Sequence, residues 1–195
     1  MAVFVMGRPG AGKDTQAEFL ASRFNLEHII TSALIQKKFR EATDDPKVKK
    51  EKAIFDSGTL NTPAWVVSVI NERVAELAKN NFEGKNGIVF SGSPRTEFEA
   101  EEEFPFFVRI FGREHMFVFY LDIPEEEGVK RILKRAAREL DRNPETIKVR
   151  MHQYDKRTQP VLDYFEKISI LERIDGMPGI EEISQNIQNI LKEKL

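Results

Sequence analysis

Cysteine is missing from all 195 residues. Its absence excludes a disulfide framework, cysteine–zinc sites and a cysteine nucleophile, and it suits a reducing compartment. An excess of one charge is missing too. The chain has 30 Lys+Arg against 32 Asp+Glu, a net of −2, so no overall field announces a nucleic-acid or membrane partner, and any anion site must be local. No apolar run is long enough for a signal core or a membrane span, and the first, at residues 2–6, reads as a buried strand. With no targeting segment in view, a cytoplasmic location is expected. Internal repeats and low-complexity stretches are also lacking. Histidine occurs three times, at His28, His115 and His152, too far apart for metal-ligand spacing, so structural roles are expected.

What is present is ordinary globular material: 41% hydrophobic and 32% charged residues in a length suited to one domain. Short β-rich runs fall at residues 2–6, 27–30, 87–90, 115–121 and 169–174. Several are continuously apolar, as expected of strands covered on both faces. Helical patterns lie between them. Residues 13–24 put Ala17, Leu20, Ala21 and Phe24 on one face, and residues 63–80 carry Val66, Val69, Ile70, Val74 and Leu77. Residues 143–167 open on Asn-Pro and carry Ile147, Met151, Tyr154 and Leu162, with Pro160 expected to kink or break the helix. A last amphipathic helix covers 180–191. Strands alternating with helices predict a parallel α/β sheet. Two polar stretches, 36–52 and 134–143, read as excursions from the core or as solvated helix surface. Trp65, on an apolar helix face, is expected to pack in the core or in one of these excursions.

The sharpest local signal is Gly7-Arg-Pro-Gly10-Ala11-Gly12-Lys13-Asp14-Thr15. It follows the first strand and opens the first helix, the context of a P-loop. Glycines let the backbone turn tightly and present N–H groups to phosphate oxygens, and the helix N-terminus adds partial positive charge. Lys13 is placed to reach the terminal phosphates. The usual pattern ends Gly-Lys-Ser/Thr. Here Asp14 takes that last slot and Thr15 follows it.

From Gly7 to Phe24 the chain resembles the start of the adenylate kinases, and the resemblance runs along almost the whole length. It is carried by His28-Ile-Ile-Thr31-Ser, Ser57-Gly-Thr-Leu60, Gly87-Ile-Val-Phe-Ser-Gly92-Ser-Pro-Arg95-Thr, Tyr120-Leu-Asp-Ile-Pro124-Glu, Tyr154-x-x-x-Thr158-x-Pro160 and Ile174-Asp-Gly176. The resemblance implies a P-loop NTP hydrolase-like three-layer fold, a five-stranded parallel sheet with flanking helices. A small nucleoside-monophosphate (NMP) binding insertion at 31–61 and a short lid at 134–143 would interrupt one domain spanning 1–195. It implies Mg²⁺-dependent transfer from ATP to a nucleoside monophosphate, AMP favoured, without zinc, nucleic acid or membrane, in an expected monomer.

Phosphoryl transfer needs in-line positioning and positive charge more than covalent help, and arginine supplies a bidentate, permanently charged fork. By similarity Lys13, Arg95, Arg135 and Arg150 are the catalytic cations. Gly10, Ala11, Gly12, Lys13, Asp14, Thr15 and Arg131 would hold ATP, with Arg131 over the base. Thr31, Gln36, Gly92, Arg95 and Glu99 would hold the acceptor. Five departures from the pattern stand out. Gln36 occupies an arginine position on the acceptor phosphate. Ser91 replaces an aspartate that helps hold the metal. Asp14 replaces a glycine, and either supplies the lost carboxylate to Mg²⁺ or acts as an outward N-terminal helix charge. Glu99 replaces a glutamine that reads adenine; an ionised carboxylate only accepts hydrogen bonds and suits a donor-rich base edge, whereas its protonated form still pairs with adenine. In the lid, Glu139 falls at an arginine slot between Arg138 and Arg142. Asp122 is expected to cap or support a strand-to-helix turn. The alternatives to an adenylate kinase are an NMP kinase for another base and a nucleotide binder with weak transfer activity.

Overall fold

The computed structural model describes residues 1–135 and 143–195. Five strands form one sheet in the order β2-β3-β1-β4-β5, and every pairing is parallel. They are β1 (Ala2–Gly7), β2 (Glu27–Ile30), β3 (Ile88–Ser91), β4 (Met116–Asp122) and β5 (Leu171–Asp175). Aromatic and β-branched side chains dominate β1, β3 and β4, which fits strands buried on both faces. The two-residue side-chain period splits them between two cores. Phe4, Met6, Phe90, Val118 and Tyr120 face one side, and Val3, Val5, Val89, Phe117 and Phe119 face the other.

Each face is roofed by helices whose apolar stripes match it. On the Val3 side, α1 (Lys13–Phe24) brings Ala17 and Leu20, and α9 (Ile180–Lys194) brings Ile183, Ile187 and Leu191. On the Phe4 side, α2 (Thr31–Glu41), α4 (Pro63–Lys79), α5 (Glu97–Phe111) and α8 (Gln159–Lys167) contribute Ile35, Val66, Ile70, Phe107 and Phe165. Phe4 stacks on Phe90 with ring centroids 5.1 Å apart and leans on Phe107 at 5.5 Å. Each fully buried phenylalanine contributes about 1.5–3 kcal/mol by leaving water. The layers are therefore helix, sheet, helix, as the alternation of patterns predicts.

The polar stretch at 36–52 is solvated helix surface for most of its length, with Phe39, Val48 and Glu51 buried. It forms the end of α2 and α3 (Pro46–Asp56). Asp45 caps α3 by accepting from Lys47 N–H at 2.7 Å. Glu51, buried in spite of its charge, accepts from the Asn61 amide and the Thr62 N–H, each at 2.9 Å, and so sews α3 to the start of α4. Trp65 stacks on Phe39 at 5.8 Å and joins α4 to α2.

The helix expected over 143–167 has three parts: α7 (Pro144–Gln153), a π-helical turn (Tyr154–Thr158) and α8. Pro160 lies in the first turn of α8. Having no N–H, it cannot continue the ladder of the preceding turn, so the irregularity falls just before it. The remaining helix, α6 (Glu125–Arg135), leads towards the stretch expected as the lid. Residues 136–142 of that stretch, with Arg138, Glu139 and Arg142, lie outside the described residues. On either side of it, α6 and α7 meet through Val129, Ile132, Ile147 and Met151. Among the described residues no helix is long and apolar enough to cross a membrane.

Candidate active site

The C-terminal ends of β1, β3 and β4 open on one side of the sheet, where parallel α/β folds place their ligands. β1 runs directly into the glycine-rich loop. Gly12 takes φ +92° and hands the chain to α1, leaving the helix's first N–H groups without intrahelical partners. Gly10, at φ +86°, lies so close to Gly128 of α6 that a Cβ would strike the Gly128 carbonyl. The loop glycines therefore allow both the turn and the close approach of α6.

Lys13 Nζ reaches back across the loop and donates to the Arg8 carbonyl at 2.9 Å. Its surroundings press its pKa down to about 7. Burial is the largest cause, followed by the positive charge of Arg95; Arg150 and Arg135 push in the same direction, and Asp14 opposes them. Arg95, Arg135 and Arg150, from β3–α5, α6 and α7, thus all lie within electrostatic reach of Lys13.

The cleft beside Lys13 is lined by Thr31, Gly92, Arg95, Glu99 and Arg150 from the predicted set. Asn61, Ser93, Gln153 and Tyr154 complete its walls. Thr31 begins α2 and is buried, and among the described residues its hydroxyl has no hydrogen-bond partner. Arg95 is pinned along its length. Its Nε donates to the Gly92 carbonyl at 2.6 Å, its N–H to Glu99 Oε2 at 2.7 Å, and its carbonyl accepts from Thr158 at 3.0 Å.

Other predicted residues fall outside that lining. Gln36 is half-buried on α2 and does not line the cleft. Asp14 sits in the first turn of α1, and its charge reaches both Lys13 and His28. Thr15 follows it on the helix, and Ala11 is buried in the loop. Arg131 donates to Glu127 at 2.7 Å and to the Gly176 carbonyl at 3.0 Å, which fixes it against the β5–α9 connection. Arg135 ends α6 in an exposed position. Asp122 ends β4, where it accepts from the Tyr120 hydroxyl at 3.4 Å and its carbonyl accepts from Gly176 N–H at 2.8 Å. That is a supporting role at the turn.

Sequence reasoning missed three features. Ser91 Oγ pairs with His28 Nε2 at 3.1 Å, so Ser91, expected at a metal-aspartate position, is tied to β2. Arg8 lies over the Tyr154 ring at 5.1 Å, with Glu125 and Asp155 at 3.6 and 3.7 Å. Behind the cleft wall, Glu103 is 1% exposed and takes the Ser93 hydroxyl at 3.1 Å. The spacing Glu99, Ala100, Glu103, Phe104, Phe107 carried the signal, because it sets two carboxylates on the apolar stripe of α5.

The family model for adenylate kinase matches residues 5–170. The adenylate kinase of Leptospira biflexa is 35% identical over 187 residues, covering 93% of this chain and 95% of its own. Those of Thermus thermophilus and Staphylococcus epidermidis are 31% and 29% identical, over 97% and 98% of this chain and 96% and 99% of theirs.

Proposed function

The chain belongs to the adenylate kinase family of phosphotransferases, and from that premise we propose that it moves the terminal phosphoryl of ATP to AMP, giving two ADP, with Mg²⁺. The observation that carries this reading is the convergence of Arg95, Arg150 and Arg135 on Lys13. Charge gathered from four separate elements suits a group that passes between two nucleotides; a protein that only binds has less use for it.

In this reading the loop N–H groups and Lys13 hold the ATP phosphates, with Arg131 beside the base. Arg95, held rigid by Gly92, Glu99 and Thr158, holds the acceptor phosphate. Thr31 offers its unpartnered hydroxyl to the acceptor from the opposite wall. Arg150 and Arg135 neutralise charge on the transferring group. Closing the cleft excludes water, which would otherwise compete as acceptor.

The metal fits this arrangement in one way. Among the described residues no three His, Asp or Glu side chains gather as a protein-built site, and Asp14 is the carboxylate whose charge reaches Lys13. Mg²⁺ would therefore be carried by the nucleotide phosphates and water, with Asp14 alone on the protein side. Bound there, it would neutralise charge on the transferring phosphoryl. Asp14→Gly tests the assignment: a raised Mg²⁺ requirement supports it, and an unchanged metal titration removes it.

The second reading, a different acceptor base, rests on Glu99. One of its oxygens is taken by Arg95 N–H, and its carboxyl lines the cleft. A coupled assay with ATP, Mg²⁺ and each of AMP, GMP, CMP and UMP separates the readings. Best transfer to AMP supports the first, best transfer to another base supports the second, and transfer to none rejects both.

A further inference from the structure

The Gly92–Arg95 loop is held from behind by two acids. Glu99 and Glu103 stand one helical turn apart on the same stripe of α5, 2% and 1% exposed. Glu99 takes the Arg95 N–H at 2.7 Å, and Glu103 takes the Ser93 hydroxyl at 3.1 Å. Ser93 and Arg95 both line the cleft, whereas Glu103 lies behind it. The pair thus grips both ends of the Ser93–Arg95 segment.

Burial raises both carboxyls, and the nearby charge of Glu99 helps to push Glu103 well above the ordinary carboxylate range. Their surroundings differ. Arg95 from the loop and Arg157 from the π-turn place positive charge near Glu99. Glu103 has a hydroxyl, and among the described residues no ion pair reaches it. On the helices packed on α5, Glu72 of α4 pairs with Lys38, Arg73 with Glu27 and Glu76, and Glu166 of α8 with Arg173. Arg113 lies over the Phe104 ring at 6.0 Å. Burial therefore favours the proton on Glu103, whose carboxyl accepts from the Ser93 hydroxyl, while Glu99 accepts the Arg95 N–H.

We propose that Glu103, acting through the Ser93 hydroxyl, is a positioning residue that together with Glu99 fixes the Arg95 loop for the acceptor nucleotide. This rests on the reading of that cleft as the acceptor site. The arrangement predicts an effect confined to one substrate, because the loop it holds bears Arg95 and the ATP phosphates are held elsewhere.

The test compares wild type with Glu103→Leu, Glu103→Gln and Ser93→Ala in steady-state kinetics, with thermal unfolding in the presence and absence of AMP. Leucine leaves the Ser93 hydroxyl orphaned and is expected to raise the AMP KM about tenfold while the ATP KM changes less than about twofold. Glutamine, whose amide oxygen can still accept from Ser93, is expected to restore the AMP KM. Equal effects of leucine on both KM values, or a glutamine variant as impaired as leucine, would overturn the proposal. If wild type transfers to no monophosphate, the proposed function falls, and unfolding still reads the clamp: AMP raises the Tm of wild type and Glu103→Gln more than that of Glu103→Leu, or Glu103 does not position the loop.

Discussion

The two walls of the cleft are built on opposite principles. The phosphate loop is made from backbone: glycines at positive φ, a helix N-terminus and one lysine whose charge is pressed down towards neutrality. The wall opposite is made from side chains, with an arginine gripped from behind by buried carboxyls. A backbone cradle is set by local geometry and accepts any polyphosphate. A side-chain clamp is set by residues ten positions apart, Ser93 and Glu103, and can tune one substrate without disturbing the other.

The largest expected effect lies in the first wall. Lys13→Met is predicted to lower kcat about 10²–10³-fold, as the loss of one charge on the transferring group does elsewhere, measured in the coupled assay. A loss spread equally over binding and turnover would break the contrast drawn here. Arg95→Ala is next. It should lower kcat/KM for AMP about 10²-fold, mostly through KM, and leave the KM for ATP within about threefold. Equal loss for both nucleotides would make the two walls one unit.

Glu99→Gln should have a smaller and more selective effect. An amide can both donate and accept, so the ratio of AMP to GMP transfer is expected to rise about three- to tenfold. An unchanged ratio would leave Glu99 as a loop clamp without a part in base choice.

The smallest effect is protonic. With its pKa lowered to about 7, Lys13 is mostly neutral in the free protein at pH 8. Phosphates raise that pKa again, so ATP binding should take up most of a proton at pH 8 and little at pH 6. Calorimetry in buffers of different ionisation enthalpy reads this directly. The two acids run with the opposite sign. Burial raises the carboxyls of Glu99 and Glu103 above the ordinary 4.5. Their neutral forms favour the fold below that value, and the contribution is lost as pH rises through their raised values.

The sequence made the first wall legible and the second only in part. Strand, Gly7-to-Thr15 loop and helix are contiguous, so spacing alone states the geometry, and the parallel sheet follows from the alternation of runs. The positions of Arg95, Arg150 and Thr31 came through resemblance, and the cleft does bring them together. Gln36 was placed by the same route and does not line the cleft. Pro160 announced a break, but the π-turn that lets Thr158 hold the Arg95 carbonyl is a tertiary outcome. The Ser93–Glu103 contact is tertiary in the same sense, and the acidic run 97–103 read on its own is a solvated helix face. What separates it from one is that two of its acids share the stripe of Phe104 and Phe107.

The central claim is that the cations around Lys13 serve transfer between two nucleotides. A coupled assay of the wild-type chain with ATP, Mg²⁺ and AMP tests it most directly. The account predicts ADP formed at two per ATP consumed and dependent on AMP; ADP at one per ATP without AMP, or none at all, would contradict it.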